Sequence, residues 1–278
     1  VKALSIQSKP VYDSARQGSS GLRELREIGK YRYLLGQLIK RDLTTRYKRS
    51  VLGVAWTMLN PLGTMIILSV VFSRLFGAEG NYPVYVLTGL TAWNFFSQGT
   101  NAAIGNLVWG GSMLNRIYIP RTIFGVSAVG TAFVNTIIAL VPLVLVMLAT
   151  GASLHPAMLF LPVPIILLAC FTLGWGLFLS SVAVFFPDVA EMYQLLLTAW
   201  MYLTPIIYPE SMPMAATLQK IFPFNPMYWM VKNFRIPVLE GRLPTLAEFW
   251  PAAAFGLGML VIGWLFFTSK SDEYAYRV

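Results

Sequence analysis

The sequence predicts an all-α integral membrane protein with six transmembrane helices, an N-terminal amphipathic interfacial helix, and short re-entrant or interfacial helices between the fifth and sixth spans. Three observations predict it. Of 278 residues, 56% are hydrophobic and only 12% charged, with a mean hydropathy of +0.62, where globular proteins carry roughly 25% charged residues. Six apolar runs are each near the roughly 20 residues needed to cross a bilayer. Twelve of the 21 Lys and Arg residues lie in positions 1–52, ahead of the first run. The net charge of +9 is thus concentrated before the membrane instead of spread over a face suited to nucleic acid.

Taken in order, residues 1–30 are rich in Ser and charge and form a cytosolic lead-in with no apolar core of a cleavable signal peptide. Residues 31–50 follow as the amphipathic helix. Tyr31, Leu34, Leu35, Leu38, Ile39, Leu43 and Tyr47 recur at helical spacing, with Arg32, Lys40, Arg41, Arg46 and Lys48 on the other side. Such a helix lies in the membrane plane, apolar side down, or packs on protein. RYKRSVLGVAWTMLNPL (Arg46 to Leu62) then passes from three cations in four residues to none in thirteen, where the chain enters lipid.

The six-helix domain occupies 51–270, with spans expected near 53–75, 84–108, 122–149, 158–186, 192–208 and 250–268. Residues 271–278 form a cytosolic tail. Pro61 predicts a kink in the first span, and Pro142, Pro162 and Pro164 local distortion in the third and fourth. With the N-terminus inside, cytosolic segments hold sixteen Lys and Arg against five outside, so both termini are expected in the cytosol. The connection from Pro209 to Phe249 contains LQKIFPFNPMYWMVKNF, apolar but too short to span, hence interfacial or re-entrant.

Several chemistries lack their residues. Residues 53–73, 84–115, 122–154, 156–187, 192–209 and 249–269 hold no Asp, Glu, Lys or Arg, which ion-coupled carriers place at depth. His155 is the only histidine, Cys170 the only cysteine, and there is no metal-ligand spacing, paired carboxylate or phosphate-cradling GxxxxGK[ST]. The chain is therefore expected not to be an enzyme and to hold no metal or cofactor. Energy would enter through a partner pressing on two cytosolic connections, GGSMLNRIYIPR with Arg116 and FFPDVAEMY with Asp188 and Glu191. Read from residues alone, both are equally ordinary turns whose acids suit a helix N-terminus.

RYKRSVLGVAWTMLNPL, FFPDVAE and TPIIYPESMP…FNPMYW, in this order and spacing, resemble the permease subunit of polysaccharide-exporting ABC transporters. The resemblance runs from Tyr31 onward and covers O-antigen, capsule and teichoic acid exporters. It implies a homodimer in the bacterial cytoplasmic (inner) membrane, two copies of a separate ATPase that bind ATP and Mg, and a channel between the permeases for a lipid-linked glycan. It also implies that Arg116, Asp188 and Glu191 belong to coupling elements.

On that footing Arg46, Lys48 and Arg49 are placed to meet the pyrophosphate headgroup of the lipid carrier, or else to set topology and touch phospholipid. The resemblance makes the first and fifth spans channel walls. There Trp56, Asn60 and Thr64 form one stripe, and Gln194, Thr198 and Tyr202, flanked by Tyr193 and Trp200, another; each aromatic is equally a packing or lipid-facing residue. Two further functions share these features: an ABC permease for drugs or small lipids, and a membrane-bound transferase using Asp188 and Glu191.

Overall fold

The computed structural model describes residues 28–48, 50–76, 81–108, 120–210, 219–270 and 274. Among them every regular element is helical. The main helices are α1 (Arg32–Tyr47), α2 (Ala55–Phe76), α3 (Tyr82–Val108), α4 (Thr122–Ala149), α5 (Pro162–Phe185), α6 (Val189–Leu203), α7 (Pro226–Arg235) and α8 (Leu246–Ser269). Short 3-10 turns cover Pro156–Phe160 and Phe222–Phe224, and a π turn, Ile236–Glu240, prolongs α7.

Four helices are long and apolar enough to cross a membrane: α2, α4, α5 with its preceding turn, and α8. The runs expected as second and fifth spans differ from these for opposite reasons. Helix α3, at roughly 1.5 Å per residue, is about 40 Å long, but it is less apolar because protein surrounds it. From Val86 to Trp93 every side-chain position is buried, including Thr88 and Thr91, whose hydroxyls bond back to the Tyr85 and Leu87 carbonyls. Helix α6 has 15 residues, about 22 Å, short of the roughly 30 Å hydrocarbon layer. It stops at Leu203 because Pro205 follows.

Helix α3 is the axis on which the others pack: α2, α4, α5 and α7 all lie against it, and α6 touches it more lightly. Small residues set the tightest crossings, as expected where lipid provides no hydrophobic drive between helices. A methyl group on Gly174 of α5 would run into the Met259 carbonyl of α8, and one on Gly263 of α8 into the Gly174 carbonyl. Helix α2 is continuous through Pro61. Pro162 and Pro164 sit in the first turn of α5, where a missing N–H removes no helical bond, so the distortion expected from them does not arise.

Helix α1 forms where the amphipathic pattern placed it, but its apolar residues meet protein. Leu34, Leu35 and Leu38 pack against Ile123 and Phe124 at the start of α4. The tail contributes one described residue, Tyr274, which is buried; its hydroxyl lies 2.6 Å from Ser181 Oγ and 3.2 Å from the Phe267 carbonyl.

Candidate functional site

The sequence motifs converge on α2, α3 and α6. Helices α2 and α6 bury few of their residues. Between Ala55 and Ser73 only Pro61 and Met65 are buried, and in α6 only Tyr193 and Leu197. Both lean on α3, which leaves long faces of each uncovered by the described residues.

On α2, Trp56 and Asn60 are exposed and Thr64 is half-buried, with the Thr64 hydroxyl donating to the Asn60 carbonyl at 3.0 Å. On α6, Gln194, Thr198 and Tyr202 are all exposed on one side. The Gln194 side-chain amide donates to Asn101 Oδ1 of α3 at 2.7 Å. Tyr193 and Trp200 turn the other way. Tyr193 is 1% exposed and donates to Thr100 Oγ1 at 2.8 Å. Trp200 joins a cluster with Trp93, Phe96, Phe171 and Trp175, its ring centroid 5.2 Å from Phe96 and 5.5 Å from Trp175. A helix advances about 100° per residue, so neighbours of a surface stripe point inward as a matter of geometry.

At the membrane entry the three basic residues part company. Arg46 is exposed yet bonded, its Nη1 donating to Gln98 Oε1 of α3 at 2.9 Å. Gln98 Oε1 also accepts from Asn135 of α4 at 3.4 Å, so one amide oxygen ties α1, α3 and α4 together. Lys48 is exposed, and Arg49 lies outside the described residues. Beneath Arg46 a narrow polar seam between α2, α3 and α4 holds Thr57, Asn94, Gln98, Asn135 and Thr136. Asn135 Oδ1 is buried there without a partner.

Asp188 sits at the N-cap of α6 without a capping hydrogen bond, and Glu191 follows in the first turn. Both are exposed beside Phe186, itself 65% exposed. Acids here favour the helix dipole and remain available to a partner. Arg116 lies outside the described residues.

The opposite end of α6 holds what the motifs did not reveal. After Leu203 the chain leaves the helix, and the carbonyls of Pro205 and Ile206 both accept from the guanidinium of Arg235. That side chain, from α7, is 5% exposed; it donates also to the Tyr85 carbonyl at 3.2 Å and lies over the Tyr85 ring. Asn225, the N-cap of α7, accepts from Trp200 Nε1 at 2.8 Å and from the Met227 backbone at 3.0 Å, and donates to Thr204 Oγ1. The break in α6 is therefore stitched on both sides by α7. Nearby, burial opposes the charge of Lys232, but the Tyr228 hydroxyl and Glu210 together hold its pKa above the usual lysine value. A sequence signal existed for Asn225, since Asn before Pro opens helices; for Arg235 there was none beyond a lone cation in an apolar stretch.

Comparison with known proteins adds the lineage. The model of the ABC-2 type transporter family matches residues 33–239. An O-antigen export system permease protein of Myxococcus xanthus is 29% identical over 260 residues, covering 92% of this chain and 100% of that protein. One from Klebsiella pneumoniae is 27% identical over 227 residues, covering 77% of this chain and 86% of its own. A polysialic acid transport protein of Escherichia coli is 24% identical over 246 residues, covering 84% and 92%.

Proposed function

The chain belongs to the ABC-2 type transporter family, and from that premise we propose that it is the permease half of an ATP-driven exporter for a lipid-linked, O-antigen-like polysaccharide. The observation that carries the reading is the similarity, over 92% of the chain and the whole of the relative, to a protein named as an O-antigen export permease.

In this reading the chain crosses the inner membrane six times with both termini in the cytosol, α3 and the short α6 completing the set. Helix α6 spans because the stitched segment beyond Leu203 and the re-entrant α7 continue its layer. Two copies pair through the poorly covered faces of α2 and α6, and the polar-aromatic stripes of Trp56, Asn60, Thr64, Gln194, Thr198 and Tyr202 line the path between them. Tyr193 and Trp200 support that wall from behind. Sugar rings offer apolar faces as well as hydroxyls, so such a surface guides them without gripping.

At the inner leaflet Arg46, Lys48 and Arg49 attract the anionic pyrophosphate of the carrier, with α1 lying along the membrane surface. Arg46 would exchange Gln98 for the headgroup. A separate pair of ATPase subunits binds ATP and Mg and drives the permease through the connections bearing Arg116, Asp188 and Glu191.

The test is deletion and complementation in the native host. Loss of the permease should empty the cell surface of polymer and leave lipid-linked glycan inside, with export restored by the intact chain. Normal surface polymer in the deletion strain would remove the reading. Impermeant thiol labelling in a Cys170→Ala background checks orientation: Ser153→Cys should react in intact cells, and Ser269→Cys only after the membrane is opened.

A further inference from the structure

The start of α3, the α4–α5 connection and α7 with its π turn enclose a cavity of about 620 Å³. It lies at the end of the molecule where α6 breaks, and Arg235 of its lining bonds the carbonyls just beyond that break. Its size falls within the roughly 300–1,000 Å³ of small-molecule sites. Its chemistry comes from Ser153, His155, Glu210, Lys232, Arg235 and Glu240.

These groups are paired in a way that cancels charge yet leaves hydrogen-bonding capacity open. Glu210 is 3.7 Å from Lys232 and accepts from the Tyr228 hydroxyl, both through Oε2. Glu240 takes Arg242 Nε at 2.6 Å, also through Oε2. Arg235 spreads its charge over three carbonyls and the Tyr85 ring, but its buried Nε–H has no partner. An anion entering the cavity meets two carboxylates, and a cation meets Lys232 and Arg235, so neither gains net attraction. What remains are acceptor lone pairs on both carboxylates, donors on Lys232 and Arg235, and the Ser153 hydroxyl. Groups that both donate and accept fit such a lining best.

We propose that this cavity is a binding site for an uncharged saccharide segment of one or a few sugar units. In the orientation above it opens on the external side, which makes it a subsite that receives the polymer after it has crossed. This placement rests on the export reading; the binding site itself does not.

The experiment uses the full-length permease carrying Cys170→Ala and Ser153→Cys, purified in detergent so that both faces are open. The probe is the neutral di- to tetrasaccharide fraction, separated by anion exchange from a mild-acid hydrolysate of the host's own surface polysaccharide. Maleimide reaction at position 153 should slow saturably, by roughly fourfold at three times the half-saturating concentration. A Leu159→Cys control, 86% exposed and outside the cavity, should react at an unchanged rate. Adding Lys232→Met and Glu210→Gln should abolish the protection. No slowing up to the solubility limit, or equal slowing at position 159, overturns the site. Protection by inorganic pyrophosphate but not by the saccharides would make it an anion site and equally overturn the proposal. Whole-cell labelling of Ser153→Cys reports separately on orientation: labelling only after permeabilisation, with protection intact in detergent, would sink the export placement and leave the saccharide site standing.

Discussion

The guanidinium of Arg235 lies flat over the ring of Tyr85, its central carbon 3.6 Å from the ring centroid, in a position where solvent reaches 5% of the side chain. No carboxylate partners it among the hydrogen bonds and ion pairs of the described residues; it is held by backbone carbonyls and an aromatic face. A cation is tolerable there because the break after α6 presents carbonyls that have lost their helical donors. Arginine suits the task better than lysine, since its planar fork reaches several acceptors at once.

Arg235→Met keeps the stem and removes the donors, leaving the Pro205, Ile206 and Tyr85 carbonyls without that partner. We expect a loss of about 3 kcal/mol or more, from the usual cost of stranding buried polar groups. Arg235→Lys should fall between Met and the parent. Thermal unfolding of the purified permease in detergent measures the series, and a Met variant as stable as the parent would show that the fork is not what holds the break closed.

The α5–α8 crossing gives a sharper contrast between two glycines of the same helix. A methyl on Gly263 meets the Gly174 carbonyl, whereas one on Gly258 meets nothing within 4 Å. Gly263→Ala should therefore force the helices apart at about 1–3 kcal/mol. Gly258→Ala should stabilise by up to about 1 kcal/mol through helix propensity alone. Equal midpoints for the two variants would mean that the close approach does not constrain the bundle.

Tyr274 reaches back from the tail between α5 and α8, its ring 5.2 Å from Phe267 and 6.1 Å from Phe185, with the Arg121 guanidinium 5.7 Å away. Emptying this site by Tyr274→Ala should cost about 3–5 kcal/mol, as for other buried aromatics. Tyr274→Phe, which loses only the hydroxyl contacts to Ser181 and Phe267, should cost about 1 kcal/mol. Limited proteolysis at the C-terminus should quicken for Ala and not for Phe. Identical behaviour of the two would assign the whole effect to the hydroxyl.

These residues also mark how far the sequence could be read. The helices were legible because long uncharged runs have few other solutions in lipid. Arg235 was not, because a cation in an apolar connection looks like any loop charge until the carbonyls of another segment are seen beside it. Nor was the docking of Leu38 on Ile123 and Phe124 legible, since an amphipathic face has the same pattern whether lipid or protein covers it. The apolar run around α6 did not show where the helix ends, because it continues past the point where Pro205 stops it. Tyr193 and Trp200 were grouped with the stripe they border, and only the rotation of α6 on α3 turns them inward.

That rotation shapes the last prediction, which concerns how a hydrophilic polymer passes helices whose exposed stripes carry no charge. Trp56 is 52% and Tyr202 58% exposed in this subunit, on two helices that the described residues cover sparsely. If they face the path between two subunits, Trp56→Ala and Tyr202→Ala remove sliding surface and leave the fold alone, because neither side chain fills the core. Each should reduce polymer export in the complemented deletion strain, the pair more than either, while dimer assembly and basal ATP hydrolysis by the complex persist. Trp200→Ala should behave differently. It removes the ring that meets Phe96 and Trp175 and the donor to Asn225, so export and thermal stability should fall together, by about 3–5 kcal/mol in stability. Export that survives the Trp56→Ala, Tyr202→Ala double variant would mean that the polymer passes elsewhere and that these faces meet lipid.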